Sequence, residues 1–123
     1  MPSIAIIGAS TDRTKFGNKA VRVYAAKGYT VYPIHPKAAE IEGCKAYASI
    51  LEVPEKTLDK VSLYLPPEVG LKIIGDIAKK GAKEVWLNPG AESDALLEKG
   101  ESLGLTMIAA CSIVGVGESP KNY

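Results

Sequence analysis

At 123 residues, with 46% hydrophobic and 24% charged residues, the chain has the size and makeup of one globular domain and is too short for two cores. This composition excludes intrinsic disorder, and fifteen Lys and Arg against fourteen Asp and Glu (net charge +1) leave no broad basic field for nucleic acid or anionic lipid. Any phosphate recognition must therefore be local. The N-terminus has no basic region ahead of a long apolar run, and no stretch approaches the roughly 20 apolar residues that span a bilayer, so a cytoplasmic protein without membrane partners is expected. Cys44 and Cys111 fit neither a CxxC pair nor a disulfide framework; both are expected to be free thiols, with no metal site.

Residues 3–8 form a short apolar run ended by a glycine, the pattern of a strand buried on both faces of a parallel sheet, and are expected as its central strand. A polar loop then leads into residues 16–27, where Ala20, Val23 and Tyr24 recur at helical spacing before Gly28. Residues 29–34 are rich in β-branched and aromatic side chains, and Pro33 and Pro36 mark the exit of this second strand. Residues 38–54 read as irregular chain with one helical turn, a connector with the makings of a lid. A third strand over 60–65 is stopped by Pro66 and Pro67, and Pro67 suits the first turn of a helix over 68–80 that Gly81 ends. The pattern repeats as strand 84–87, helix 92–103 and strand 105–109, and residues 118–123 are expected to be a mobile tail. The alternation predicts one α/β domain over 1–123, a Rossmann-like, doubly wound parallel sheet of about five strands in three α/β/α layers. Ligands of such sheets bind beyond the carboxyl ends of the strands, where strand order reverses.

The loop Gly8-Ala9-Ser10-Thr11-Asp12-Arg13-Thr14-Lys15-Phe16-Gly17 joins the first strand to the first helix, where backbone N–H groups and the helix dipole can receive phosphate. It is poor in glycine beside G-x-G-x-x-G, and Ser10 and Thr11 stand where a second glycine is usual. The second strand leads into Ile34-His35-Pro36-Lys37, which lacks the carboxylate that binds the ribose hydroxyls of NAD. Lys37 suits a ribose-bound phosphate instead, the 3′-phosphate of coenzyme A or the 2′-phosphate of NADP. His35, the sole histidine, has no carboxylate placed to orient it and reads as a loop contact rather than a general base. Cys111 follows the last strand, where it either faces a ligand or packs as a small thiol; Tyr32, Tyr64 and Trp86 lie within strands and are expected to pack.

The chain resembles the CoA-binding domain family, small stand-alone relatives of the N-terminal domain of the succinyl-CoA synthetase α subunit. The resemblance rests on Ile7-Gly8-Ala9-Ser10, Gly28-Tyr29-Thr30-Val31-Tyr32-Pro33-Ile34-His35-Pro36-Lys37 and Glu42-Gly43-Cys44-Lys45-Ala46-Tyr47-Ala48-Ser49. It continues through Tyr64-Leu65-Pro66-Pro67-Glu68, Gly81-Ala82-Lys83-Glu84-Val85-Trp86-Leu87-Asn88-Pro89-Gly90 and Ala110-Cys111-Ser112-Ile113-Val114-Gly115. It implies that coenzyme A or an acyl-CoA lies across the strand ends, with Ser10, Thr11, Lys15, Phe16 and Gly17 around the phosphates. It further implies that Pro36 and Lys37 border the nucleotide, Leu65, Pro66 and Pro67 line the adenine or pantetheine side, and Asn88 and Gly90 lie near the pantetheine arm. His35 and Ala110 stand where these relatives often carry Asn and Arg. The synthetase carries its phosphorylated histidine on a second domain, so a CoA-binding module without its own catalytic centre is expected. The alternatives are an NADP-dependent enzyme or redox sensor on the same fold, and a degenerate pocket serving assembly; no protein partner is named.

Overall fold

The computed structural model describes residues 2–123. In chain order the elements are β1 (Ser3–Ile7), α1 (Phe16–Ala26), β2 (Thr30–Ile34), β3 (Glu40–Ile41), β4 (Cys44–Lys45), β5 (Leu58–Leu63), α2 (Pro67–Lys80), β6 (Ala82–Leu87), α3 (Asp94–Ser102), β7 (Met107–Ala109) and α4 (Ser112–Gly115). Every residue of β1 is buried, as its unbroken apolar sequence requires of a strand covered on both faces. The period of two then divides the strand between two cores. Ala5 and Ile7 join Val61, Leu63, Val85 and Leu87 against Ile74 and Ile77 of α2 and Leu96 of α3. Ile4 and Ile6 join Val31 against Ala20, Val21 and Tyr24 of α1 and Ile113 of α4.

Five parallel strands run in the order β2-β1-β5-β6-β7, giving the expected Rossmann-like α/β architecture. β1 is interior, between β2 and β5, but β5 rather than β1 occupies the middle. The reason lies in the crossovers. The first runs from β1 outward to β2, and the second passes back over β1 to β5 on its far side, so strand order reverses between β1 and β5. The ligand-binding crevice predicted for this topology therefore falls between the loops that leave Ile7 and Leu63.

Residues 38–54 are more ordered than their composition suggested. β3 and β4 form an antiparallel hairpin closed by Glu42 and Gly43, both at positive φ (51° and 80°), and a 3-10 turn spans Ile50–Glu52. Two-residue strands are too short to leave a periodic signal. Glutamate is an uncommon residue at positive φ; here its carboxylate accepts from Asn18 Nδ2 at 3.1 Å and pairs with Arg13 Nε at 3.5 Å, contacts that hold the hairpin tip against the first loop. Residues 118–123, expected as a tail, lie along α1. Glu118 pairs with Lys27 at 3.1 Å, Lys19 Nζ donates to the Pro120 carbonyl at 3.3 Å, and the Arg22 guanidinium stacks over Tyr123 at 5.9 Å. Both cysteines are free, and no helix among the described residues is long and apolar enough to cross a membrane.

Candidate functional site

Two glycines bring three elements together at the switch point. Gly8 ends β1 at φ +88°, and a Cβ there would stand 2.6 Å from the Tyr64 carbonyl oxygen at the exit of β5. A Cβ on Gly17, in the first turn of α1, would stand 2.2 Å from the Gly8 carbonyl oxygen. Between them the loop is shaped by its own side chains. Asp12 Oδ1 accepts from the Thr14 hydroxyl at 2.7 Å and its N–H at 2.9 Å, bonds that hold the carboxyl below its ordinary range, and the Asp12 N–H donates to Ser10 Oγ at 3.0 Å.

The helix that follows starts without a side-chain cap. Its N-cap is Lys15, which accepts no bond through its side chain, and no acidic residue occupies the first turn. By contrast α3 is capped by Ser93, whose Oγ accepts from the Leu96 N–H at 3.1 Å. The uncapped N–H groups and dipole of α1 thus open onto the crevice beside a lysine side chain, an arrangement suited to an anion.

Three cavities follow one another along the strand ends. The first, about 350 Å³, is walled by Ile7, Gly8, Ala9, Ile34, Pro36, Ala48, Ser49, Ile50, Leu65, Ile73 and Asp76 and is largely apolar. The second, about 330 Å³, shares Gly8 and Leu65 with it and adds Ser10, Lys15, Phe16, Gly17, Tyr64, Pro66, Pro89, Gly90 and Ala91. The third, about 250 Å³, shares Phe16, Tyr64 and Pro89 with the second and adds Asn88, Cys111 and Pro120.

The fold thus gathers Gly8, Ala9, Ser10, Lys15, Phe16, Gly17, Pro36, Leu65, Pro66, Asn88, Gly90 and Cys111 along one connected crevice. Thr11, His35, Lys37 and Pro67 line none of the three cavities. Thr11 and Lys37 are exposed beside the crevice, and Pro67 begins α2. His35 shapes its own loop: Nδ1 accepts from the N–H groups of Lys37 at 3.0 Å and Ala38 at 2.9 Å, which occupies the lone pair a general base would need. Ala48, Ser49, Ile50, Ile73 and Asp76 were not among the expected site residues, although the spacing of Ile73 and Asp76 places them on one helix face once α2 is known.

Asn88 reaches the third cavity from inside the core. Only 2% exposed, it donates through Nδ2 to Ser62 Oγ and to the Leu63 carbonyl, both at 2.8 Å, and accepts the Ser112 N–H at 2.8 Å through Oδ1. Ser62 Oγ and Ser112 Oγ stand 2.7 Å apart, Tyr64 OH lies 3.3 Å from Ser112 Oγ, and Tyr24 OH donates to the Ser112 carbonyl at 2.6 Å. This network ties β5, β6 and α4 together beneath the crevice. Ser62, a hydroxyl inside a strand with three buried apolar positions, was its one visible signal in the sequence.

Burial pushes the Tyr64 phenol up to about 12, and burial with a bond to Glu55 pushes Tyr32 up to about 12 as well. A phenol raised in this way favours the folded state fully below its ordinary value of 10.0, and the contribution is lost as pH rises through about 12. Absorbance titration of the folded protein is therefore expected to show less tyrosinate near pH 10 than the denatured chain in the same buffer. Equal amplitudes would contradict the buried network.

A family model described as "CoA binding domain" matches residues 2–116. The chain belongs to the CoA-binding domain family. Within it, the chain is 38% identical over 81 residues to the ADP-forming acetate–CoA ligase of Methanocaldococcus jannaschii, an overlap of 66% of this chain and 11% of the ligase. Among solved structures, a conserved hypothetical protein from Pyrococcus furiosus is 34% identical with a TM-score of 0.85, over 94% of this chain and 99% of that one. The dinucleotide-forming acetyl-coenzyme A synthetase 1 of Ca. Korarchaeum cryptofilum, solved with phosphate and ADP, is 30% identical with a TM-score of 0.75, over 88% of this chain and 25% of the synthetase. This CoA-binding domain spans only 11% to 18% of the length of five curated relatives that it matches.

Proposed function

We propose that the chain binds coenzyme A or an acyl-CoA along the crevice at the β1/β5 switch point, as a cytoplasmic binding module with no catalytic centre of its own. The observation that carries this reading is the uncapped N-terminus of α1, which with Lys15 walls the second cavity, set between the apolar first cavity on one side and the third on the other. A nucleotide cofactor with a purine at one end, a diphosphate and a long arm matches that succession. In this reading Ser10, Thr11, Lys15, Phe16 and Gly17 surround the diphosphate. Ile34, Pro36 and Leu65 enclose the base, and Lys37 meets the 3′-phosphate from the exposed rim. Pro66, Pro67 and the Gly90 backbone border the arm, while Asn88 positions the loop after β6 from beneath. His35 shapes the turn that presents Lys37. The family membership and the ligase relatives support coenzyme A as the ligand; the near-neutral net charge supports a small-molecule rather than a nucleic-acid partner.

Calorimetric titration with CoA, 3′-dephospho-CoA, NADP and NAD, at low and moderate salt, tests the reading. CoA is expected to bind most tightly. Loss of one charge-assisted phosphate contact costs about tenfold in affinity, so Lys37→Ala is expected to weaken CoA by that factor and leave 3′-dephospho-CoA unchanged, whereas Lys15→Ala weakens both. Tighter binding of NADP than of CoA would favour a nicotinamide-dependent protein, and absence of binding by all four ligands would sink the proposal.

A further inference from the structure

The third cavity differs from its neighbours in what it can satisfy. It adjoins the second across Phe16, Tyr64 and Pro89 and is closed by Asn88, Cys111 and Pro120. Asn88, polar by residue type, has its amide committed at both ends: Nδ2 to Ser62 Oγ and the Leu63 carbonyl, Oδ1 to the Ser112 N–H. The Tyr64 hydroxyl lies within hydrogen-bond reach of Ser112 Oγ. What remains on the wall is a thiol, two proline rings and aromatic edges, and a thiol is a weak hydrogen-bond partner. An amide or phosphate buried there would lose its partners at substantial cost, whereas an alkyl group loses none. The second cavity, with Lys15, Ser10 and the backbone around Gly90, can serve the polar parts of a ligand.

We infer, on the basis of the coenzyme A reading, that the third cavity receives the alkyl chain of a short acyl-CoA thioester, so that the protein binds acyl-CoA in preference to free CoA. The succession of cavities follows the ligand's own chemistry: apolar wall for the base, uncapped helix and lysine for the diphosphate, apolar chamber at the far end for the acyl group. The chamber also sets a length limit. Pro120 belongs to the 3-10 turn Pro120–Asn122, which is held on α1 by Lys19 through the Pro120 carbonyl at 3.3 Å. At about 250 Å³ the space ends against that turn, and a fatty chain would have to displace it.

Titration of the wild-type protein with CoA, acetyl-CoA, butyryl-CoA and decanoyl-CoA reads the inference directly. Each buried methylene is worth about fourfold in affinity, so butyryl-CoA is expected to bind about fifteenfold more tightly than acetyl-CoA, with the gain lost for decanoyl-CoA. Cys111→Phe, which enlarges a side chain on the chamber wall, is expected to bring the butyryl-to-acetyl ratio close to one. Equal affinities for CoA, acetyl-CoA and butyryl-CoA in the wild type would overturn the acyl assignment and leave the coenzyme A reading standing. Failure of every CoA compound to bind would remove both.

Discussion

Gly17→Ala is expected to destabilise the protein by about 3 kcal/mol or more and to abolish detectable binding of CoA. The added methyl would stand 2.2 Å from the Gly8 carbonyl oxygen, which is backbone at the end of a fully buried strand and cannot swing aside as a side chain could. Relief requires α1 to move away from β1. That movement would pull Ala20, Val21 and Tyr24 out of the core they share with Ile4 and Ile6, and would misplace the uncapped N–H groups of the helix. For a domain of this size, 3 kcal/mol is a large part of a total stability of about 5–15 kcal/mol. Urea denaturation measures the loss. Gly75→Ala serves as the control, because nothing lies within 4 Å of the position and the helix interior favours alanine over glycine by up to about 1 kcal/mol. Equal stabilities for the Gly17 variant and the wild type would show that the close approach of helix and strand is not required.

Asn88→Ala is expected to cost about 3 kcal/mol, for a different reason. The substitution strands the Ser112 N–H, leaves the Leu63 carbonyl with only the 3.4 Å bond from the residue 88 backbone N–H, and takes a donor from Ser62 Oγ. An orphaned buried polar group costs about 1–3 kcal/mol. Because Ser62 and Ser112 share the same network, the Asn88→Ala/Ser62→Ala double variant is expected to lose less than the sum of the single losses. Strict additivity in denaturation experiments would mean that the groups act separately. The same substitution frees the loop that carries Pro89 and Gly90, so CoA binding is expected to weaken alongside stability.

Much of the crevice was legible because its signals are local. A glycine after a buried apolar run marks the end of a strand, and residues 8–17 lie between that strand and an amphipathic helix whatever the rest of the chain does. The missing carboxylate after β2 and the presence of Lys37 were equally readable. The hairpin at Glu40–Lys45 was not, because its strands are two residues long and its turn includes a glutamate at positive φ held by contacts with Arg13 and Asn18. Ile73 and Asp76 were passed over because α2 shows only which residues share a face, not that this face looks across to Ala48 and Ile50.

Alternation of apolar runs with helical spacing was therefore enough for the α/β class and for the loops where a ligand can bind, since periods of two and 3.6 residues and the punctuation of glycine and proline arise within a few residues of chain. Three matters depended on parts of the chain far apart in sequence. One is the placing of β5 beside β1, which locates the crevice. Another is the approach of Gly17 to Gly8 and of Gly8 to Tyr64, which makes both glycines steric necessities. The last is the buried hydrogen-bond network of Asn88, a residue that the family resemblance alone placed near a ligand arm, because its partners Ser62, Leu63 and Ser112 come together only when β5, β6 and α4 pack.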